Sequence, residues 1–155
     1  MTGRIDARLT ELKISLPSAS APAANYVPVV IAGNLAFVSG QVPVLQGELK
    51  YLGKVGVDLT LEQGQQAARL CALNVISQLR LALGGDLDRV RRCVKVGGFV
   101  NCEAGYGEQP KVINGASDLF VAVFGDAGRH ARFAVGTNAL PFNVAVEVDA
   151  VFEVA

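Results

Sequence analysis

Hydrophobic residues recur along the chain with two different periods, and they predict an alternation of helices and strands. From residue 4 to 16, leucine and isoleucine stand at helical spacing, which indicates a short amphipathic helix. Residues 26–44 contain two β-rich runs separated by Gly33-Asn34, a pair suited to the tight turn of a β-hairpin. Pro28 interrupts the first run, which predicts an edge strand or an irregular start.

The rest of the chain predicts two further helices and three strands. Thr60 and Gln63 in "TLEQ" have the spacing of a capping box, and the apolar stripe behind them continues to Leu83. The pattern then predicts a strand over 90–101, a helix over 111–125, and two strands over about 131–137 and 144–154. This order is typical of an α+β domain in which two helices cover one face of a mixed β-sheet.

Two segments follow neither period. Residues 17–25, "PSASAPAAN", form a connector rich in Pro, Ser and Ala. Residues 45–58 contain a Gly-Glu turn and "KYLGKVG", and we interpret them as a mobile excursion near a site. We therefore expect an N-terminal helix with its connector over residues 1–24, and a main domain over residues 25–155.

The composition favours burial of apolar surface between subunits. Of the 155 residues, 51% are hydrophobic and only 18% are charged, which leaves little polar surface for an isolated domain. A membrane helix would need about eighteen consecutive apolar residues, and no window offers them without a charge, Gly or Gln. Since obligate interfaces resemble a core cut in half, we expect a homo-oligomer and no membrane partner.

Charge and cysteine usage bound the remaining classes. Fourteen basic and fourteen acidic residues cancel, so no electrostatic footprint for nucleic acid is expected. Three cysteines and one histidine share no zinc-binding spacing, and we expect no metal site. Cys71 lies in a helical apolar stripe and is interpreted as core packing. An odd cysteine count without a signal peptide favours the cytoplasm.

Two charged residues interrupt the last two predicted strands. In residues 144–154 the even positions are apolar, which places Glu147 on the opposite face. If Phe133 and Val135 join the helix-covered face, Arg132 lies on the same open face as Glu147. The pair is then either a structural ion pair at an interface, or a pocket in which Arg132 binds an anion and Glu147 handles a proton or a water.

Four stretches carry a resemblance to a known family. They are "NLAFVSGQVPV" (34–44), "VKVGGFVN" (94–101), "VING" (112–115) and "ARFAVGTNALPFNVAVEVDA" (131–150). The last is the most specific, with an Ala-Arg pair, a Leu-Pro eight or nine residues on, and an alternating strand that carries Glu. Over about residues 26–154 the chain resembles the reactive intermediate deaminase family, the RidA or YjgF-like proteins that are also labelled L-PSP endoribonucleases.

The resemblance implies a chorismate-mutase-like fold and a homotrimer whose sheets enclose a central β-barrel, with clefts at the subunit interfaces. It implies hydrolysis of enamine and imine intermediates, such as 2-imino acids, to 2-oxo acids and ammonia without a cofactor. Arg132 would match the arginine that grips the substrate carboxylate, and Glu147 the glutamate that helps to hold the attacking water. Tyr26 and Ser39 would line the cleft, and Asn114 would match the asparagine of the second helix.

One departure from the family pattern keeps two other functions open. Many members carry a cysteine two residues after the arginine, near the bound water, and this chain has Ala134 there. A non-catalytic trimer that binds a small carboxylate would show the same motif. The ribonuclease activity of the alternative family label is the third possibility, and the balanced charge counts against it.

His130, the only histidine, is expected to lie exposed at the end of a loop.

Overall fold

The alternating run near the C-terminus forms the central strand of a five-stranded mixed sheet. The computed structural model describes residues 2–21 and 24–155; Met1, and Pro22 and Ala23 of the predicted connector, lie outside the described residues. The strands of the sheet are β1 (Val29–Ala32), β2 (Leu35–Gln41), β5 (Val90–Asn101), β6 (Ala131–Thr137) and β7 (Val146–Val154), and a separate hairpin contains β3 (Val44–Leu45) and β4 (Glu48–Leu49).

The strand order is β1-β2-β7-β5-β6, so β1 and β6 form the two edges. Strand β6 runs parallel to β5, and the other neighbouring pairs are antiparallel. The predicted hairpin is confirmed, with Gly33 at a positive φ of 61° in its turn, and β1 is an edge strand as Pro28 predicts. The strands predicted over 90–101 and 131–137 are also confirmed, while the last strand begins at Val146.

In the described residues, three α-helices accompany the sheet: α1 (Arg4–Glu11), α2 (Leu61–Ala82) and α3 (Gln109–Phe124). The predicted capping box is present, since Thr60 accepts from the Gln63 amide and the Gln63 side chain accepts from the Thr60 amide. Helix α1 ends earlier than predicted, because Lys13 adopts a left-handed φ of 56°. Helix α3 begins two residues earlier than predicted, with a proline in its first turn, where a missing amide hydrogen costs nothing.

Helices α2 and α3 lie side by side on one face of the sheet and form the core with it. The two helices approach closely at Gly115, where an added Cβ would collide with the backbone carbonyl of Gln65. Helix α1 contributes Ile5 and Leu9 to the same core. The predicted α+β arrangement, with two helices on one face of a mixed sheet, is therefore confirmed, and Cys71 is fully buried in that core as predicted.

The opposite face of the sheet carries exposed apolar side chains. Phe99 and Phe133 stack edge to face with ring centroids 5.4 Å apart, yet each remains 38% exposed. Val135 and Phe37 are more exposed still. We refer to this surface as the open face. Exposed apolar patches of this kind mark interaction surfaces in soluble proteins. The open face therefore supports the homo-oligomer predicted from composition, which stays a prediction.

The segment over residues 45–58 is tied to the end of the sheet, which contradicts its interpretation as a free excursion. The Val55 amide donates to the Asn101 carbonyl at 2.9 Å, and the Val55 side chain is completely buried. Lys54 Nζ donates to Asn101 Oδ1 at 3.0 Å. Buried contacts and paired backbone groups of this kind hold a loop in one conformation. The segment is therefore an ordered margin of the fold.

Candidate functional site

Arg132 lies on the helix-covered face of the sheet, so the prediction that it shares the open face with Glu147 is wrong. Its guanidinium contacts α3: Nη1 donates to Asn114 Oδ1 at 2.9 Å and to Ser117 Oγ at 3.1 Å, and Nη2 donates to the Pro110 carbonyl at 3.3 Å. The structure thus brings together the predicted residues Arg132 and Asn114.

The register of β6 explains why Arg132 and Phe133 lie on the sheet faces opposite to the predicted ones. Phe133 pairs with Gly97 and Ala134 pairs with Gly98. A Cβ at Gly97 would touch the Phe133 ring, whereas a Cβ at Gly98 would touch Ile113 of α3. Phe133 therefore lies on the open face, and its neighbours in sequence on either side lie under the helices. The sequence-based assignment placed the large apolar side chains inward, and the strand instead presents them outward.

The Arg132 guanidinium is held in place without an anionic partner. Its three acceptors are an amide oxygen, a hydroxyl and a backbone carbonyl, all of them uncharged. Within the described part of the chain, no carboxylate lies within 4 Å of it. Because a guanidinium has five N–H donors, the remaining ones are free to bind a ligand. A fixed, unpaired arginine fork matches the geometry of a carboxylate.

His130 lies behind this arginine and is half-buried, so the prediction of an exposed histidine is wrong. Its Nε2 atom lies 2.8 Å from Ser117 Oγ, and its Nδ1 atom lies 2.7 Å from the Gly128 carbonyl oxygen. The ring also contacts the edge of Phe120, with centroids 5.9 Å apart. Burial, and then the neighbouring charge of Arg132, lower the His130 pKa against the opposing effect of the Gly128 carbonyl. The imidazole is therefore neutral at pH 7.

A second cluster of predicted residues lies on the other side of β5. Glu147, Tyr26 and Ser39 line a cavity of about 360 Å³. Glu147 pairs with Phe99 of β5, which places it on the open face as predicted. The apolar part of the cavity wall consists of Pro28, Val42, Val44, Leu49, Pro141 and Phe142. A mainly apolar concavity with a few converging polar groups is the usual form of a small-molecule site.

Buried amides of α2 hold the walls of this cavity. Asn74 Nδ2 donates to the carbonyls of Val42 and Val44 at 3.2 and 2.9 Å. Gln78 Nε2 donates to the Ser20 carbonyl at 2.8 Å, which fixes the first part of the predicted connector against α2. Both amide side chains are only 4% exposed. Fixed walls of this kind preorganise a binding site.

The environment of Glu147 favours its protonated form. Burial and, to a smaller degree, the charge of Asp149 raise the Glu147 pKa above its ordinary value. Burial also raises the pKa of Asp149, against hydrogen bonds from the Gly97 and Asp149 backbone and the charge of Lys95. A carboxyl group whose pKa is raised toward neutrality can both accept and return a proton. Glu147 is therefore suited to acid–base work.

The two clusters cannot meet within one chain. Arg132 in β6 and Glu147 in β7 are separated by β5, a distance of roughly 10 Å at the usual strand spacing, and their side chains leave opposite faces of the sheet. Sequence reasoning missed Ser117 as a neighbour of Arg132. The spacing of Asn114 and Ser117, three residues apart on one helix, was the available signal, because such residues share a helical face.

The fold and the two clusters define a class: a small α+β domain with one helix-covered sheet face, an unpaired arginine and a carboxyl-bearing pocket. Residues 6–154 match the model of the family described as "YjgF/chorismate_mutase-like, putative endoribonuclease". The chain therefore belongs to the YjgF/chorismate mutase-like family, as the sequence motifs predicted.

Relatives match nearly the whole chain. It is 53% identical over 153 residues to Protein TCP17 of Trypanosoma cruzi, a match that covers 98% of this chain and 95% of that one. The solved structure of Atu1372 from Agrobacterium tumefaciens, a protein of unknown function, is 49% identical with a TM-score of 0.91, over 97% of this chain and 92% of that chain. A Shewanella oneidensis protein with the same endoribonuclease label is 38% identical with a TM-score of 0.93, over 98% of this chain and all of that chain.

Across residues 2–21 and 24–155, no helix combines the length and apolarity needed to cross a membrane. In that same part of the chain, no three His, Cys, Asp or Glu side chains cluster closely enough to ligate a metal ion.

Proposed function

We propose that this protein hydrolyses reactive 2-imino acids and their enamine tautomers to 2-oxo acids and ammonia, in clefts between the protomers of a homotrimer. Arg132 and Asn114 of one protomer form one wall of each cleft. Tyr26, Ser39 and Glu147 of a neighbouring protomer form the other. The observation that carries this proposal is the Arg132 fork, which three uncharged acceptors hold in place and which no carboxylate of the described residues neutralises.

The arrangement of the two clusters supports an assembly. In each chain, Arg132 lies in the edge strand β6 on the helix-covered face. Glu147 lies in β7, on the other side of β5, and on the open face. A ring of identical subunits can bring two different surfaces of one chain together. The open face, with its exposed phenylalanine and valine side chains, would be covered in the same assembly. Closure of three sheets around a common axis meets both requirements.

The reaction requires an oriented substrate and a group that carries protons from the attacking oxygen to the nitrogen. The substrate carboxylate binds to the free N–H groups of Arg132, which sets the imine carbon beside the Glu147 pocket. A water molecule adds to the C=N bond while its proton passes to the Glu147 carboxylate. Glu147 then returns that proton to the nitrogen, which gives the carbinolamine. It next carries the hydroxyl proton to the nitrogen as the C–N bond breaks, so that ammonia leaves and the C=O bond forms. General acid–base help of this kind contributes about 10² to 10⁴ in rate.

Ala134 supports a second candidate function. It lies on the helix-covered face and packs against the core, so it offers no polar side chain to hold a water. A trimer that binds a small carboxylate through Arg132 without turning it over would keep every other feature. Binding of a stable 2-oxo acid without imine hydrolysis would identify this function.

The test is the release of 2-oxo acid from freshly generated 2-iminopropanoate and 2-iminobutanoate, with 2-imino-4-methylpentanoate as a larger substrate for the apolar cavity. We expect the wild type to exceed the buffer rate. Arg132→Ala should raise KM, since loss of a charge-assisted hydrogen bond costs about 1.5–3 kcal/mol, and Glu147→Gln should lower kcat. A wild-type rate equal to buffer with all three imines would refute the proposal. RNA incubated in parallel should remain intact.

A further inference from the structure

A chain of hydrogen bonds runs from Arg132 into the protein through two residues that the proposed function leaves unused. Arg132 Nη1 donates to Ser117 Oγ at 3.1 Å, and Ser117 Oγ lies 2.8 Å from His130 Nε2. The other ring nitrogen of His130 lies 2.7 Å from the Gly128 carbonyl oxygen. We propose that Ser117 and neutral His130 are positioning residues that aim the Arg132 fork at the substrate carboxylate. This inference rests on the proposed function.

The acceptor at the far end fixes the direction of every bond in the chain. A carbonyl oxygen only accepts, so His130 Nδ1 carries the hydrogen that faces Gly128. In a neutral imidazole the other nitrogen is then an acceptor, and the Ser117 hydroxyl donates to it. The Ser117 oxygen keeps its lone pairs for Arg132. The neutral histidine therefore makes Ser117 an acceptor that holds the guanidinium in one orientation.

Protonation of His130 would disturb these hydrogen-bond directions. The Nε2 atom would become a donor, and the Ser117 hydroxyl hydrogen would lose its acceptor. Three arginines lie near the ring: Arg132 from β6, whose charge lowers the His130 pKa, and Arg129 and Arg92, which line the same surface depression; Asp126 lies 3.6 Å from Arg129. From α3, Ser117 and Phe120 contact the ring, and neither is charged. Burial and the charge of Arg132 therefore oppose an imidazolium at this position, and both favour the neutral ring.

Kinetics of the imine reaction separate positioning from a merely structural role. Ser117→Ala should raise KM about three- to tenfold, the range expected for one lost hydrogen bond, with little change in kcat, because the bond acts on carboxylate binding. Ser117→Thr keeps the hydroxyl and should restore the wild-type KM. Ser15→Ala removes an exposed hydroxyl that forms no hydrogen bond with Arg132, Ser117 or His130 and should change nothing. An unchanged KM in Ser117→Ala would overturn the inference.

The pH dependence supplies a second readout. In the wild type, KM should rise as the pH falls through the His130 pKa, and this step should be absent from Ser117→Ala. A mutation that only loosened the fold would leave the step in place. The same step in both proteins would show that His130 does not act through Ser117.

Because His130 is the only histidine, NMR tests the coupling without any substrate. In the full chain with its affinity tag removed, one set of imidazole signals should titrate below the ordinary value of about 6.5. Both Ser117→Ala and Arg132→Gln should raise this pKa, the first by removing a donor to the neutral ring and the second by removing a positive charge. Ser15→Ala should leave it unchanged.

The two experiments distinguish the two possible failures. If the wild type does not hydrolyse imines, the proposed function fails, and the titration alone decides whether Ser117 and His130 are coupled to Arg132. If the wild type is active but neither substitution moves the His130 pKa, the positioning inference fails and the proposed function stands.

Discussion

Gly40 of β2 packs directly against the Glu147 carboxylate of β7, and an alanine Cβ at position 40 would overlap Glu147 Oε1. Gly40 does not adopt a positive φ, so glycine is required there for space and not for backbone conformation. The absence of one methyl group therefore decides where the carboxylate lies in the cavity. The neighbouring residue, Ser39, lines the same cavity.

Gly40→Ala should impair catalysis while the fold persists. The added methyl group must displace the flexible end of Glu147, and a misplacement of about 1 Å at a reacting group can cost roughly a hundredfold in rate. We expect kcat for 2-iminobutanoate to fall by one to two orders of magnitude, with an unchanged circular dichroism spectrum. Gly107→Ala is the matched control, since nothing lies within 4 Å of its added Cβ. Equal activity of the two variants would contradict a role for the Glu147 position.

Glu147→Gln should separate activity from stability. The raised pKa of Glu147 means that the folded protein holds its proton more tightly than the unfolded chain. The carboxyl group therefore destabilises the fold progressively as the pH rises from its ordinary value of 4.5 through the higher folded pKa. Glutamine removes this effect, so above that range the variant should unfold at the same or a higher temperature than the wild type, with kcat lowered about 10²- to 10⁴-fold.

Thermal unfolding at pH 4 and pH 8 checks the sign of this prediction. The difference in Tm between Glu147→Gln and wild type should be more positive at pH 8 than at pH 4. A variant that is less stable than wild type only at pH 8 would show that the carboxylate is stabilised in the native state. Such a result would contradict the assignment of burial as the dominant influence.

Thiol reagents should leave the native protein active. All three cysteines are buried; burial raises the pKa of Cys93 to about 12 and that of Cys71 well above its ordinary value. Because the thiolate is the reactive form, native protein treated with iodoacetamide at pH 7.5 should retain full imine hydrolysis, and mass spectrometry should find no adduct. Unfolded protein should take up three. Inactivation that matched the labelling of one cysteine would instead indicate a thiol in the reaction.

The sequence predicted correctly that two helices cover one face of the sheet. It did not predict which face of the edge strand β6 carries Arg132. Strand β7 carries an apolar residue at every even position, so its phase was fixed and Glu147 was placed correctly. Strand β6 offers apolar side chains on one face and Ala134 on the other, so either phase satisfied the pattern. Among the described residues, no element covers the open face on which Phe133 and Val135 lie, and periodicity within one chain gives no information about a partner.

The contacts of Arg132 with α3 could not be predicted from the sequence for a related reason. Asn114 was identified through a family motif. Ser117 contacts Arg132, and His130 contacts Ser117, only because β6 returns parallel to β5 beneath α3. Local spacing places Ser117 on the same face of α3 as Asn114, but it does not reveal that Arg132 and His130 lie beside that face. The capping box at Thr60, by contrast, is a local signal, and it was correct to the residue.

The most direct test of the composite cleft is complementation between two inactive variants. Arg132→Ala and Glu147→Gln protein are unfolded together in equal amounts and refolded, and native mass spectrometry confirms mixed oligomers. Each cleft draws on two protomers taken at random, so about a quarter of all clefts, or about one in three of those in mixed trimers, should contain both wild-type residues. We predict that imine hydrolysis by the whole refolded mixture returns to about a quarter of the wild-type rate. Mixed oligomers as inactive as the separate variants would contradict a cleft built from Arg132 of one protomer and Glu147 of the next.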